Sequence, residues 1–354
     1  MSRQYYHDLA RRNLRMPIGT DLVLREKPDQ GAILLDGERL GDVLIESARR
    51  YDTPLAIHLM DLMIEKAELL AALGIPAEQA EIYQFTAPPA DDAPARLKTS
   101  LEAKITPRLS ANVRAVARVA SAAPDLVPVG MSIGPFSLMS KLLLDPITPV
   151  FMAGSGATAA DDPEIHTVEQ TLELAIATIL HAINLQIDAG ARAILVAEPA
   201  ANKAYFSPNQ LAAGADIFER YAMAFNRRIK AMLDSRGVDL IFHCCGEITD
   251  QMLKAFTALD PVMLSLGSSR RLWEDAKLVP ESIVLYGNLP TKKFYSDTEM
   301  PVSKVRELTR EIAGRMRATG HPFVLGSECD VLSVAGSEQI IREKVDAMMT
   351  TRLA

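Results

Sequence analysis

The chain has 354 residues, with 38 basic against 45 acidic side chains, a net charge of −7 and a 48% hydrophobic fraction. It is long enough to bury a large core, and its composition is that of a globular protein. The acidic balance excludes the clustered basic footprint of a nucleic-acid binder, and no apolar stretch reaches the roughly 20 residues that span a bilayer.

Residues 1–50 read as an N-terminal extension packed on the domain that follows. Its start, "MSRQYYHDLARRNLRMP", has basic residues but lacks the apolar block of a secretory signal, so the expected compartment is cytoplasmic. Three cysteines without a disulfide framework's spacing fit reduced thiols.

Short apolar runs then alternate with stretches of helical period. "TPLAIHLM" (53–60) is the first, and the helical stretch behind it stops at Gly74. "AEIYQF" (80–85) is the second and "DLVPVGMSI" (125–133) the third. The clearest helix follows. Asp162 is placed to cap it, Pro163 suits its first position and Gly190 closes it. Val168, Leu172, Ile176, Ile179, Ile183 and Ile187 step along one face by threes and fours.

"ARAILVAE" (191–198), "VDLIFHCC" (238–245), "PVMLSLG" (261–267), "SIVLYG" (282–287) and "PFVLG" (322–326) complete eight runs. They are continuously apolar rather than alternating, which suits parallel strands covered on both faces. The pattern predicts an α/β fold, a single (β/α)8 TIM barrel over 51–354. An open doubly wound sheet would call for a GxGxxG turn after a strand, and there is none. Monomer and homodimer are equally open.

Active-site groups of such a barrel sit at the C-terminal ends of its strands. His243, Cys244 and Cys245 end the fifth run. Side chains alternate along a strand, so His243 and Cys245 share a face while Cys244 points the other way, toward the helices. Cys329, in "LGSECDV", lies just past the eighth run, three strands away, where it can converge on the same cavity. One imidazole and two thiolates are the ligands zinc prefers, and three protein ligands leave a position for substrate. The spacing also allows the plainer reading of cysteines buried as small hydrophobes.

The chain resembles the uroporphyrinogen decarboxylase superfamily, in particular its zinc-dependent branch of corrinoid methyltransferases. The resemblance rests on "MDLMIEKAELLAALGI" (60–75), "GPFSL" (134–138), "YFSPNQL" (205–211), "FHCCG" (242–246), "YGNLP" (286–290) and "GSECDV" (326–331). It implies a (β/α)8 barrel, and it maps the branch's HxC and distant cysteine onto His243, Cys245 and Cys329. The porphyrinogen decarboxylases lack that trio and carry an arginine-rich N-terminal motif, where this chain has "NLRMPIGTD" (13–21).

The resemblance implies transfer of a methyl group between methylcobalamin and a thiol such as coenzyme M, through a zinc-bound thiolate. The chain has no DxHxxG cobalamin signature, so the corrinoid is expected on a separate partner protein. Alkylation of a thiol by an epoxide or a methyl-folate, and decarboxylation of a tetrapyrrole, are the alternatives. Asp61, which matches the family's active-site aspartate, is a substrate contact or a helix cap. Glu198, at the end of the fourth run, is a fourth zinc ligand, a proton acceptor, a substrate contact or a solvated loop carboxylate. Asn288, in the family's GN pair, is a substrate contact or a turn residue. His58 alone reads as a core histidine.

Overall fold

The continuously apolar runs form parallel strands buried on both faces. Every residue of β3 (Val127–Ile133) and of β4 (Ala193–Ala197) is buried. The structure, a computed structural model, describes residues 1–353. Besides β3 and β4 it contains β1 (Arg15–Ile18), β2 (Leu55–Ile57), β5 (Asp239–Cys244), β6 (Met263–Leu266), β7 (Val284–Leu289) and β8 (Phe323–Asp330). All pairings are parallel, in the order β1-β8-β7-β6-β5-β4-β3-β2. Among the described residues no ladder joins β1 to β2, so the (β/α)8 barrel is nearly closed; Thr20 Oγ1 bridges those edges by donating to Ile57 O at 2.8 Å.

One strand differs from expectation. Residues 80–85 are not a strand; they follow a short turn of helix, Ala77–Gln79, and only Phe85 makes an isolated bridge, to Leu143. Ile82 is 81% exposed, so one face of that run has nothing to pack against. β2 pairs directly with β3, and the eighth strand is instead Arg15–Ile18, inside the segment read as an extension. β1 pairs with β8 through Arg15–Leu325 and Met16–Gly326, then slips before Ile18–Asp330. Four residues, one of them a proline without an N–H, are too short a run for periodicity to reveal.

Alternation divides the core. Leu55, Ile57, Val129, Met131, Leu195, Ile241, Val284 and Tyr286 fill the barrel, while Ile194, Val196, Phe242, Leu264 and Leu285 pack beneath the helices. The helix Arg3–Arg11 closes the N-terminal end with Tyr6 and Leu9, and Tyr6 Oη donates to Asp239 Oδ2 at 2.9 Å. The helix Pro163–Asp188 is capped by Asp162, which accepts from Glu164 N and Ile165 N, and it buries Val168, Leu172, Ile176, Ile179 and Ile183 as expected. Among the described residues no helix is long and apolar enough to cross a membrane.

A candidate metal centre at the barrel mouth

Alternation along β5 sends Ile241 inward and both Phe242 and Cys244 outward. Cys244 is fully buried among the outer apolar residues, 3.8 Å from Ala201 O, and burial pushes its thiol well up. It is held protonated on the wrong side of the sheet. His243 and Cys245 emerge at the mouth, and the end of β8 brings Cys329 to them. One ligand atom from each of His243, Cys245 and Cys329 lies within 4.8 Å of the others.

His243 is fully buried. Its ladder partner on β6 is Ser265, and Nδ1 lies 2.8 Å from Ser265 Oγ. Nε2 is buried with no hydrogen-bond partner. A buried, unpartnered ring nitrogen is costly unless something takes its lone pair. A proton on Nδ1, donated to Ser265, leaves Nε2 bare for a metal, which is how metal-binding histidines are usually oriented.

The two thiols are linked. A hydrogen bond from Cys329, helped by His243 and Lys292 against the effect of burial, lowers the Cys245 pKa to about 3. The same hydrogen bond, with burial, pushes the Cys329 thiol far up. Burial disfavours the Lys292 cation, yet attraction to Cys245, Cys329 and Glu328 leaves its pKa raised. One nitrogen and two sulfurs converging around an unsatisfied lone pair fit a zinc ion, and the set is short of a full tetrahedron by one ligand.

The substrate-contact candidates are placed elsewhere or tied down. Glu198 does not join the trio. Its carboxylate is buried on the helix side of β4, accepting from Ser137 N at 2.6 Å, Phe136 N at 3.3 Å and Asn226 Nδ2 at 2.9 Å. Burial raises its pKa against these bonds. It anchors the first turn of the helix Pro135–Leu142, and it lies so close over Gly134 that a Cβ there would meet Glu198 Oε2 at 2.2 Å. Asn288 faces the loop after β6, donating to Gly267 O at 2.8 Å and Arg270 O at 2.9 Å. Asp61 accepts from Met63 N at 3.0 Å and pairs with Arg108 Nη2 at 3.1 Å, so it serves the turn before the helix Ile64–Ala72 and keeps some exposure at the rim. His58 is buried on the outer side against Asn112, and burial lowers its pKa to about 3.

Several residues at the mouth carried no signal of their own in sequence. Ser265 is one; knowing that β5 and β6 pair in register would have set it opposite His243. Glu328 is another. It is buried, accepts from Ser268 N at 3.1 Å and Ser268 Oγ at 2.6 Å, and takes Lys292 N at 3.3 Å. One carboxylate therefore ties the loops after β6 and β7 to the cysteine-bearing end of β8.

Fold and site define a nearly closed (β/α)8 barrel with a Cys2His cluster at the C-terminal ends of β5 and β8. Residues 21–350 match the model for uroporphyrinogen decarboxylase (URO-D), and the chain belongs to that family. A solved methyltransferase from Methanosarcina mazei shares the fold, with a TM-score of 0.64 over 95% of this chain and 91% of that chain at 16% identity. No curated protein sequence matches.

Proposed function

We propose that this barrel is a zinc-dependent methyltransferase that moves a methyl group between a corrinoid held by a partner protein and a small thiol. The single observation that carries the reading is the convergence of His243, Cys245 and Cys329 around an unpartnered Nε2. Porphyrinogen decarboxylation calls for no such ligand set, so the family's name does not choose the reaction. The similarity of fold to a methyltransferase is consistent with the choice.

His243, Cys245 and Cys329 would hold the ion, and bound zinc would ionise a thiol placed in its remaining position. The protein's residues do the rest. Two cysteine thiolates offset the dication, so a thiolate bound beside them stays electron-rich and able to attack a methyl group. Ser265 fixes the imidazole in the tautomer that offers Nε2. Glu328 fixes the loops that carry Ser268 and Lys292 around the cysteines. The N-terminal helix seals the opposite end, so substrate and corrinoid both approach from the mouth. A corrinoid protein docked there completes the active assembly, and the cytoplasm is the proposed compartment.

The test is elemental analysis followed by spectroscopy. Purified protein should hold about one zinc per chain, and with a thiol it should convert the methylcobalamin spectrum to that of Co(I). An intact methylcobalamin spectrum with every thiol offered, alongside consumption of an epoxide or a methyl-folate, would replace the corrinoid reading by its thiol-alkylating alternative. Protein without affinity for metal that decarboxylates a tetrapyrrole would end both.

A further inference from the structure

The ligand set lacks one donor, and the structure places a third sulfur beside it. Met60 Sδ lies 3.8 Å from Cys329 Sγ. Sulfur ligands at about 2.3 Å from a tetrahedral zinc sit about 3.8 Å from one another. Ordinary sulfur packing gives a similar spacing, so the case rests on where the contact is. β2 ends at Ile57, and the chain turns so that Met60 packs against the inward-facing core while His58 and Leu59 face outward. Met60 N donates to Asp330 Oδ2 at 3.3 Å, so its backbone is tied to the neighbour of Cys329. Met60 is also only partly buried, which leaves its side chain room to move.

Resting on the zinc reading above, we propose that Met60 Sδ fills the fourth position of the resting metal centre and is displaced when the thiol substrate arrives. A thioether is neutral and soft, a much weaker partner for zinc than a thiolate. It would keep water off the metal without holding the position against an ionised thiol. The exchange needs no redox step: the thiol sulfur replaces the thioether sulfur, its proton leaves to solvent at the mouth, and the methionine swings aside unchanged. The enzyme would then admit thiols in preference to oxygen nucleophiles, because only a strong sulfur donor gains by removing the thioether.

The test uses the full-length protein with its methionines isotopically labelled at the ε-methyl carbon. Fifteen methionines give fifteen signals, and the one missing from Met60→Leu belongs to Met60. Loading with a magnetic cadmium isotope should shift that signal and split it by coupling to the metal; adding mercaptoethanesulfonate should abolish the splitting. X-ray absorption of the zinc form should find three sulfur neighbours in the wild type and two in Met60→Leu. Metal affinity should fall by no more than about tenfold, as befits the weakest of four ligands.

Metal uptake without coupling to Met60, together with equal sulfur counts in the two proteins, overturns the proposal and leaves the zinc centre standing. Coupling that persists in saturating thiol overturns the displacement. Failure of both proteins to take up metal overturns the zinc reading and this inference together, and failure of Met60→Leu alone overturns the assignment of Met60 as the weak, displaceable ligand.

Discussion

Removing the Ser265 hydroxyl tests the centre through a residue that never touches the metal. His243 and Ser265 are both fully buried, and Ser265 Oγ, at 2.8 Å, is the hydrogen-bond partner of the imidazole Nδ1. In Ser265→Ala the Nδ1 proton loses its acceptor in a place water does not reach. Leaving such a group unsatisfied costs about 1–3 kcal/mol. With metal bound, the ring must keep its proton on Nδ1, so the whole penalty falls on the metal-loaded form. Without metal, the proton can move to Nε2, which the loss of the partner no longer discourages. Zinc affinity should therefore drop about 10- to 100-fold, which is about 1.4–2.8 kcal/mol. Competition with a chromophoric chelator at fixed pH measures it, and urea unfolding of the metal-free protein shows whether the fold has been weakened separately. Unchanged affinity in a protein that still folds would mean that His243 is not oriented for a ligand's role, and the case for the centre would lose its main support.

Cys245→Ser and Cys329→Ser should each abolish stoichiometric zinc, while Cys244→Ser, altered on the outer face, should retain it; metal analysis of the three variants decides. Zinc takes cysteine as the thiolate, and its hydrogen bond and burial push the Cys329 thiol up, so zinc uptake near neutral pH should release protons and affinity should climb as pH rises. An indicator dye in weak buffer detects the release, and zinc uptake with no proton released would contradict ligation through the Cys329 thiol. Glu65 is buried against β3, and burial raises its pKa from 4.5 to about 7. Its folded state holds the proton more tightly, so its stabilising share is complete below pH 4.5 and is lost as pH rises through about 7. Glu65→Gln should then gain on the wild type by up to about 3 kcal/mol at alkaline pH, seen as a widening gap between urea midpoints from acidic to alkaline buffer. A constant gap would show that the carboxyl ionises freely. Glu198→Ala should unfold at markedly lower urea than wild type, by about 3–5 kcal/mol, because it strands the buried donors at Ser137, Phe136 and Asn226. Wild-type stability in that variant would put the carboxylate back among the free groups of the mouth.

The fold was legible because parallel strands buried on both faces leave a strong mark: β2, β3, β4, β5 and β6 lie within the runs read from sequence, and β7 and β8 overlap theirs and run on beyond them. Where the reading failed, the signal was too weak or was shared with other structure. The four residues of β1 carry no period of their own, and only their pairing with β8 makes them a strand. The run at 80–85 has the composition of a strand but no neighbour to complete a ladder. Exchanging one for the other preserved the count of eight, so the architecture was right while one of its strands was misplaced.

The same contrast runs through the site and says which residues choose the chemistry. Alternation along β5 separated Cys245 from Cys244 because a strand's period of two survives to its last residue. It could not assign Glu198, one position beyond the end of β4, which continues the outward face and ends beneath the helix Pro135–Leu142. Nor could it find Met60, three positions beyond β2, where the strand's period has lapsed and a turn sets the direction. Asn288, in the family's GN pair, and Glu198, at the end of the fourth run, are occupied in holding loops and helices in place. A group left with unmet demand at the mouth is the bare Nε2 of His243, with the two thiols beside it. At the barrel mouth an unpartnered imidazole nitrogen beside two sulfurs offers binding capacity suited to a soft metal ion. On the proposed reading the reaction would follow from what such an ion ionises, and a thiol is the substrate whose proton it would remove most readily.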